Sequence, residues 1–244
     1  MCCVHTPGNI AKLQLRPRLS QNGSWNSRSQ EHSSFHQSKF VRKKIGITGN
    51  IGSGKTTCCR LFELLGIPVY YADQRGKQLM VEDDILKHQI INLLGPDAYA
   101  EDGSLARAYI GGRVFEDKAL LAQLNALVHP AVRRDSEQWH QEQQSPYTLH
   151  EAALIYETGG EARLDAVIVV AAPEALRIQR VMERDGVSAE AVRARIKHQM
   201  PQAEKEARAD FILQNDGEQM LIPQVLQIHQ KILQWETTPP RKNN

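Results

Sequence analysis

Eight consecutive residues carry the sharpest chemical signal in this chain. Gly49-Asn50-Ile51-Gly52-Ser53-Gly54-Lys55-Thr56 has the spacing GxxxxGK[ST]. Glycines at the first and sixth positions let backbone N–H groups converge on an anion without a Cβ in the way, and a helix opening at the lysine adds the positive end of its dipole. Lys55 can then reach the β and γ phosphates of a nucleoside triphosphate, and the Thr56 hydroxyl is a ligand for Mg²⁺. The four fixed positions recur by chance in roughly one chain of this size in a hundred. The competing reading is a glycine-rich turn with a solvated lysine.

The loop speaks for a nucleoside triphosphate and leaves the acceptor open. A GTPase would add a guanine-reading NKxD-type segment, which is absent. A typical motor or helicase would run four apolar residues into an acid on a later strand, whereas His150 interrupts Tyr147-Thr148-Leu149-His150-Glu151. Both classes are weakened, and a small kinase closing over two substrates is favoured. Asp73, just past a second apolar run, would face the ligand crevice at the carboxyl edge of a parallel sheet, where it could accept or orient the proton of an attacking hydroxyl. It could equally cap the following helix. Arg180 and Arg184, four apart, share a helix face and either neutralise phosphate or pair in solvent with Glu183 and Glu190. Glu151 could hold a water of Mg²⁺ or simply end a strand. His129 before Pro130 reads by itself as the end of a helix, and Asn215-Asp216-Gly217 reads as a turn.

These residues must be held by a scaffold, and the pattern alternates short β-rich runs with helix-length segments, as in a parallel sheet wrapped by helices. Strands are expected at 43–48, 67–72, 147–152, 164–170 and 209–215. Helices are expected at 55–65, over most of 73–143, at 173–184 and 188–200, and at 218–234. Asp185-Gly186 is a turn, and Ser188 opens the helix after it.

The composition is that of an ordinary globular protein: 244 residues, 41% hydrophobic, 24% charged and a formal net charge of +2. The charge is uneven. Residues 1–42 carry six Lys or Arg and one acid, leaving a net of −3 on the rest, which argues against a coat for nucleic acid. Rich in Ser, Gln, Asn and His, residues 1–42 have the composition of a disordered extension. An organelle transit peptide or translated sequence upstream of the true start would look the same. The adjacent pairs Cys2-Cys3 and Cys58-Cys59 fit neither a disulfide framework nor a CxxC zinc site, so reduced thiols are expected. No run of about 18 apolar residues marks a membrane span.

Together, IGITGNIGSGKTT, FELLGIPVYYAD, VFEDKALLAQLNALVHPAV, HEAALIYETG, RVMERDG and ADFILQNDG resemble the dephospho-CoA kinase family along nearly all of residues 43–234. The resemblance implies a P-loop NTPase-type α/β fold: a five-stranded parallel sheet flanked by helices, with helical acceptor-binding and lid regions. It implies transfer of the γ-phosphoryl group of ATP, with Mg²⁺, to the ribose 3′-hydroxyl of dephospho-CoA. On that reading Gly49 to Thr57 hold the triphosphate, Thr57 included; Lys55, Arg180 and Arg184 neutralise developing charge; and Asp73 activates the hydroxyl. Arg195 matches a further arginine of the lid.

Asp73 is the last residue of what is a DAD motif in the family, with Tyr71 in place of its first aspartate. Lys77 stands where arginine is usual, keeping the charge without the bidentate fork. Arg177 stands where glutamine is frequent, and Ala153 where proline is usual. The resemblance places Asn215 at the adenine and His129 and Glu157 with the acceptor, and Arg107 is expected at the acceptor's phosphates. The expected organisation is an extension over 1–42, a kinase domain over 43–236 and a tail over 237–244. The expected partners are ATP and dephospho-CoA, with no nucleic acid or membrane, in a cytoplasmic monomer or weak homo-oligomer. The alternatives are another small-molecule kinase of this fold and an ATP-switched regulatory protein.

Overall fold

The computed structural model describes residues 42–235. The expected tail over 237–244, Cys2 and Cys3, and all of the expected extension except Arg42 lie outside the described residues. Arg42 is tied to the folded body: its guanidinium donates to the carbonyls of His140 (2.7 Å) and Ser145 (2.9 Å).

Five strands, β1 (Lys43–Thr48), β2 (Val69–Tyr71), β3 (Tyr147–Glu151), β4 (Ala166–Ala171) and β5 (Phe211–Gln214), form one parallel sheet in the order β2-β3-β1-β4-β5. All six residues of β4 are buried, which suits a β-branched run covered on both faces. It starts two residues later than expected because Asp165 caps its neighbour instead. The Asp165 carboxylate accepts from Lys44 N at 2.7 Å, and its own N–H donates to Lys44 O. β2 is shortened likewise: the N–H of Ile67 closes the end of the preceding helix on Phe62 O, and Ala72 already begins the next helix.

Helices α1 (Lys55–Leu64) and, at the C-terminal end, α9 (Leu221–Leu233) cover one face. Cys58, Cys59 and Phe62 from α1 and Val225, Ile228 and Ile232 from α9 pack on Ile45, Ile47, Ile168 and Val170. Phe62 is fully buried, so trimming it to alanine should cost about 3–5 kcal/mol. Burial also pushes the Cys58 thiol up to about 12 and raises Cys59. Both are free and buried.

Between β2 and β3 the chain builds a helical block with its own core: α2 (Ala72–Glu82), α3 (Asp84–Leu94), α4 (Arg107–Glu116) and α5 (Lys118–Glu142). Leu79, Leu86, Ile90, Leu94, Ile110 and Leu124 meet inside it. Asp83 caps α3 through Leu86 N, and Asp117 caps α5 through Ala119 N and Leu120 N. The structure corrects the reading of His129-Pro130 as a helix end, because α5 runs through Pro130 for another three turns. The missing donor and ring crowding cost about 3 kcal/mol; the packing of Leu124, Val128, Ala131 and Val132 into the block offsets that cost.

Beyond β4 lie α6 (Glu174–Asp185), α7 (Ala189–Ile196) and α8 (Gln202–Arg208). Gly186, at φ 66°, caps α6, and the Ser188 hydroxyl caps α7 through Ala191 N, as the sequence suggests. The helix expected over 188–200 stops four residues early, at Ile196, and α8, which was not expected, starts after Pro201, whose ring disfavours helical backbone at Met200. Ile178, Val181 and Val192 form a small core under α6 and α7, and Ile51 of the glycine-rich loop packs against it.

Candidate active site

The loop between β1 and α1 is shaped by glycines that no other residue could replace cheaply. Gly52 and Gly54 hold left-handed backbone, at φ 79° and 87°. A Cβ on Gly52 would run into the Arg177 carbonyl, and one on Gly54 into the Asn215 side-chain amide. Gly54 is the N-cap of α1, so the first-turn amides of that helix open onto the loop. Lys55 folds back over it and donates to Gly49 O at 2.9 Å. The Ser53 hydroxyl and the Asn50 side-chain carbonyl are buried without hydrogen-bond partners among the described residues.

Sheet order brings the charged residues together. Tyr71 at the end of β2 and Ile47 near the end of β1 are both in register with Glu151, the last residue of β3. Asp73 lies two residues past Tyr71, and Lys55 lies across the glycine loop from β1, so three adjoining strand ends present Asp73, Glu151 and Lys55 side by side. Burial pushes the Lys55 ammonium below its ordinary value, while Glu151 and Asp73 pull it back up. Burial raises the Glu151 carboxyl, with Lys55 opposing. Asp73 is not the cap considered from sequence: α2 begins at Ala72 with Tyr71 as its N-cap, and Asp73 sits in the first turn with its side chain exposed.

A hard cation here would find oxygen ligands suited to it: the exposed Thr56 hydroxyl, which makes no hydrogen bond among the described residues, and the Glu151 carboxylate. No group of three or more His, Cys, Asp or Glu among the described residues could hold a metal by itself. The remaining ligands must come from phosphate and water. Thr57 is exposed one residue further along α1.

Asn215 joins three elements. Its side-chain amide donates to Ser53 O at 2.7 Å and its backbone N–H to Ala171 O, while Arg180 donates to its carbonyl at 3.0 Å. Arg180 on α6 is thereby drawn to the glycine loop. Arg184, one turn on, pairs with Asp185 at 2.7 Å, and Arg195 of α7 reaches the same carboxylate at 2.9 Å. These contacts hold the Asp185 carboxyl at about 2. The pairing with Glu183 and Glu190 considered from sequence is replaced: Glu183 takes Gln179 and Glu190 takes Arg193.

A cavity of about 960 Å³ opens between α2, α5 and the segment after β3, lined by Asp73, Lys77 and His129 among others. Arg107, at the exposed start of α4, is not on its wall, and neither is Glu157. The Glu157 carboxylate instead pairs with the fully buried Lys205 at 2.8 Å and accepts from Met200 N at 2.8 Å. The sequence reading missed Lys205, Gln199, Arg133 and Arg163. Arg133 was within reach, being four residues beyond His129 on one helix face. Lys205 was not, since QAEKEAR looks like any solvated helix.

A parallel sheet with a glycine-rich phosphate loop after its first strand, and an acid and a lysine at neighbouring strand ends, defines a P-loop kinase. A dephospho-CoA kinase family model matches residues 43–220. The dephospho-CoA kinase of Salinibacter ruber is 43% identical over 176 residues, 71% of this chain and 88% of that one. Among solved structures, TT1252 from Thermus thermophilus has a TM-score of 0.72 at 36% identity, over 80% of this chain and 99% of its own. The dephospho-CoA kinase of Campylobacter jejuni has a TM-score of 0.59 at 25% identity, over 79% and 98%. The chain belongs to the dephospho-CoA kinase family, the phosphotransferases that complete coenzyme A biosynthesis.

Proposed function

We propose that residues 43–236 transfer the γ-phosphoryl group of ATP to the ribose 3′-hydroxyl of dephospho-CoA, giving coenzyme A and ADP. The single observation that carries the reading is the alignment of Lys55, Glu151 and Asp73 at three adjoining strand ends, with Lys55 coupled electrostatically to both carboxylates. The loop from Gly49 to Thr57 takes the triphosphate, and Asn215 borders it on the nucleotide side. Lys55 neutralises charge on the β and γ oxygens as it builds, and Arg180 and Arg184 add donors from α6. Asp73 accepts the proton of the 3′-hydroxyl as that oxygen attacks the γ phosphorus. The bond from the γ phosphorus to the bridging oxygen breaks, and ADP departs. Mg²⁺, held by Thr56 and phosphate oxygens, would supply charge neutralisation across the β and γ phosphates.

His129 and Lys77 on the cavity wall support its assignment to the acceptor. The positions of Glu157 and Arg107 support no such role, and neither enters the mechanism. No described helix is long and apolar enough to cross a membrane; a cytoplasmic setting and a monomer or weak homo-oligomer complete the proposal, with residues 1–42 as an extension and 237–244 as a tail.

The test is acceptor-dependent ADP release by the full chain with ATP and Mg²⁺. Dephospho-CoA should elicit it and yield coenzyme A, whereas adenosine and gluconate should not. Faster ADP release with either of those, or release independent of any acceptor, would overturn the assignment.

A further inference from the structure

The cavity has a charge pattern that the mechanism above does not use. α5 places His129 and Arg133 on its wall, and the turn at Gly160–Arg163, following β3, places Arg163 there too. Both guanidiniums act on the same imidazole: burial pushes His129 down, Arg133 and Arg163 push it further, and Asp73 opposes them. Three separate segments therefore converge on one part of the cavity. No carboxylate among the described residues forms an ion pair with Arg133 or Arg163. Neighbouring arginines are engaged: Arg134 with Asp83 at 3.7 Å, Arg75 with Asp135 at 2.9 Å, Arg208 with Glu161 at 2.5 Å. The other acid on the wall, Glu137, lies about 12 Å along α5 from His129 and is neutralised by Lys44 at 2.8 Å. The region around Asp73 thus carries two unneutralised guanidiniums and Lys77 against one carboxylate. The same wall also carries apolar side chains, Val128, Val132, Ile155 and Leu164.

A planar guanidinium fork fits phosphate oxygens bidentately, and two of them on facing segments fit a bridged pair of phosphates. A ligand that delivers an alcohol to Asp73, has anionic charge beside it and continues as an uncharged chain matches this set of lining groups. A neutral nucleoside or sugar leaves the arginines unused. Resting on the reading of the acceptor given above, we propose that Arg133 and Arg163 form the anion subsite that takes the acceptor's 5′-diphosphate, with the apolar side chains of the same cavity receiving its uncharged arm.

The experiment compares the full chain with Arg133→Gln, Arg163→Gln and the double variant. Both side chains are exposed, so folding should persist. Each single change should raise KM for dephospho-CoA roughly tenfold and the double change roughly thirtyfold or more, with KM for ATP unchanged within about twofold. Arg133→Lys with Arg163→Lys should recover part of the loss, because charge returns without the fork. Calorimetry of dephospho-CoA binding, with the phosphate loop saturated by a non-hydrolysable ATP analogue, reads the same effect without turnover. An unchanged dephospho-CoA affinity in the double variant, or an equal rise in both KM values, would overturn the subsite. A wild-type chain that binds dephospho-CoA without phosphorylating it would overturn the reaction instead and leave the subsite standing.

Discussion

Gln199 accepts a hydrogen bond from the main-chain N–H of Ile51 at 2.9 Å, so a residue just past α7 holds the outer turn of the phosphate loop. Asn50 answers with a bond from its side-chain amide to Met200 O at 3.0 Å, and Met200 N in turn donates to Glu157. The segment that follows the lid helices is thereby fastened to the loop at one end and, through Glu157, to the buried Lys205 at the other.

Gln199→Leu removes the acceptor while keeping the bulk. KM for ATP should rise roughly threefold to tenfold, the range expected for one lost hydrogen bond, with KM for the acceptor unaffected. Gln199→Glu keeps an oxygen facing Ile51 and should restore ATP affinity. If Leu and Glu behave alike, Gln199 does not position the loop.

Asp73→Asn keeps shape and removes the carboxylate proposed as the base. Loss of general-base help lowers turnover by about 10²–10⁴, and ATP affinity should hold because Asp73 lies outside the loop. Single-turnover rates and ATP titration separate the two. Turnover within a few-fold of wild type would show that the proton leaves by another route.

Arg75 holds Asp135 with two bonds of 2.9 Å while Tyr70 donates to it at 2.7 Å, binding α2 to α5. These donors, Arg75 first, hold the Asp135 carboxyl below its usual range. A depressed carboxyl stabilises the fold above its unfolded value, about 3.9, and loses that contribution as pH falls through the folded value. Asp135→Asn should therefore cost about 1–3 kcal/mol at pH 7. The gap from wild type should narrow in unfolding curves below about pH 4. A gap that stays constant to pH 3 would mean that the charge contributes nothing.

Gly54→Ala forces left-handed backbone on a residue with a Cβ, at about 1–2 kcal/mol, and drives that Cβ into the Asn215 amide. Denaturant curves should show a loss larger than strain alone. Asn215→Gly in the same chain should recover the steric part, leaving a coupling that a double-mutant cycle measures. Strict additivity of the two changes would show that the residues do not meet.

The strands were legible because their β-branched runs sit between glycine and aspartate punctuation, and β4 needed only AVIVVA. Their ends were less so, since Asp165 and Ile67 spend their backbone groups on capping, which no propensity records. Pro130 misled for a similar reason: local chemistry ends a helix there, and tertiary packing continues it. Lys55 and Asp73 were visible as a spacing and a strand-end acid. The partners of Glu157 and Arg184 were not, because Lys205 and Asp185 look like ordinary surface charges until the chain is folded.

Cys58 and Cys59 sit at 0% exposure on α1, directly after the phosphate loop, with Cys58 N bonded to Gly54 O. Buried and protonated, they are closed to an alkylating reagent unless α1 lifts from the sheet. The rate of iodoacetamide labelling at Cys58 and Cys59, read peptide by peptide so that Cys2 and Cys3 do not count, therefore reports those openings, and the chain carries its own gauge of how firmly a bound nucleotide clamps the helix beneath it.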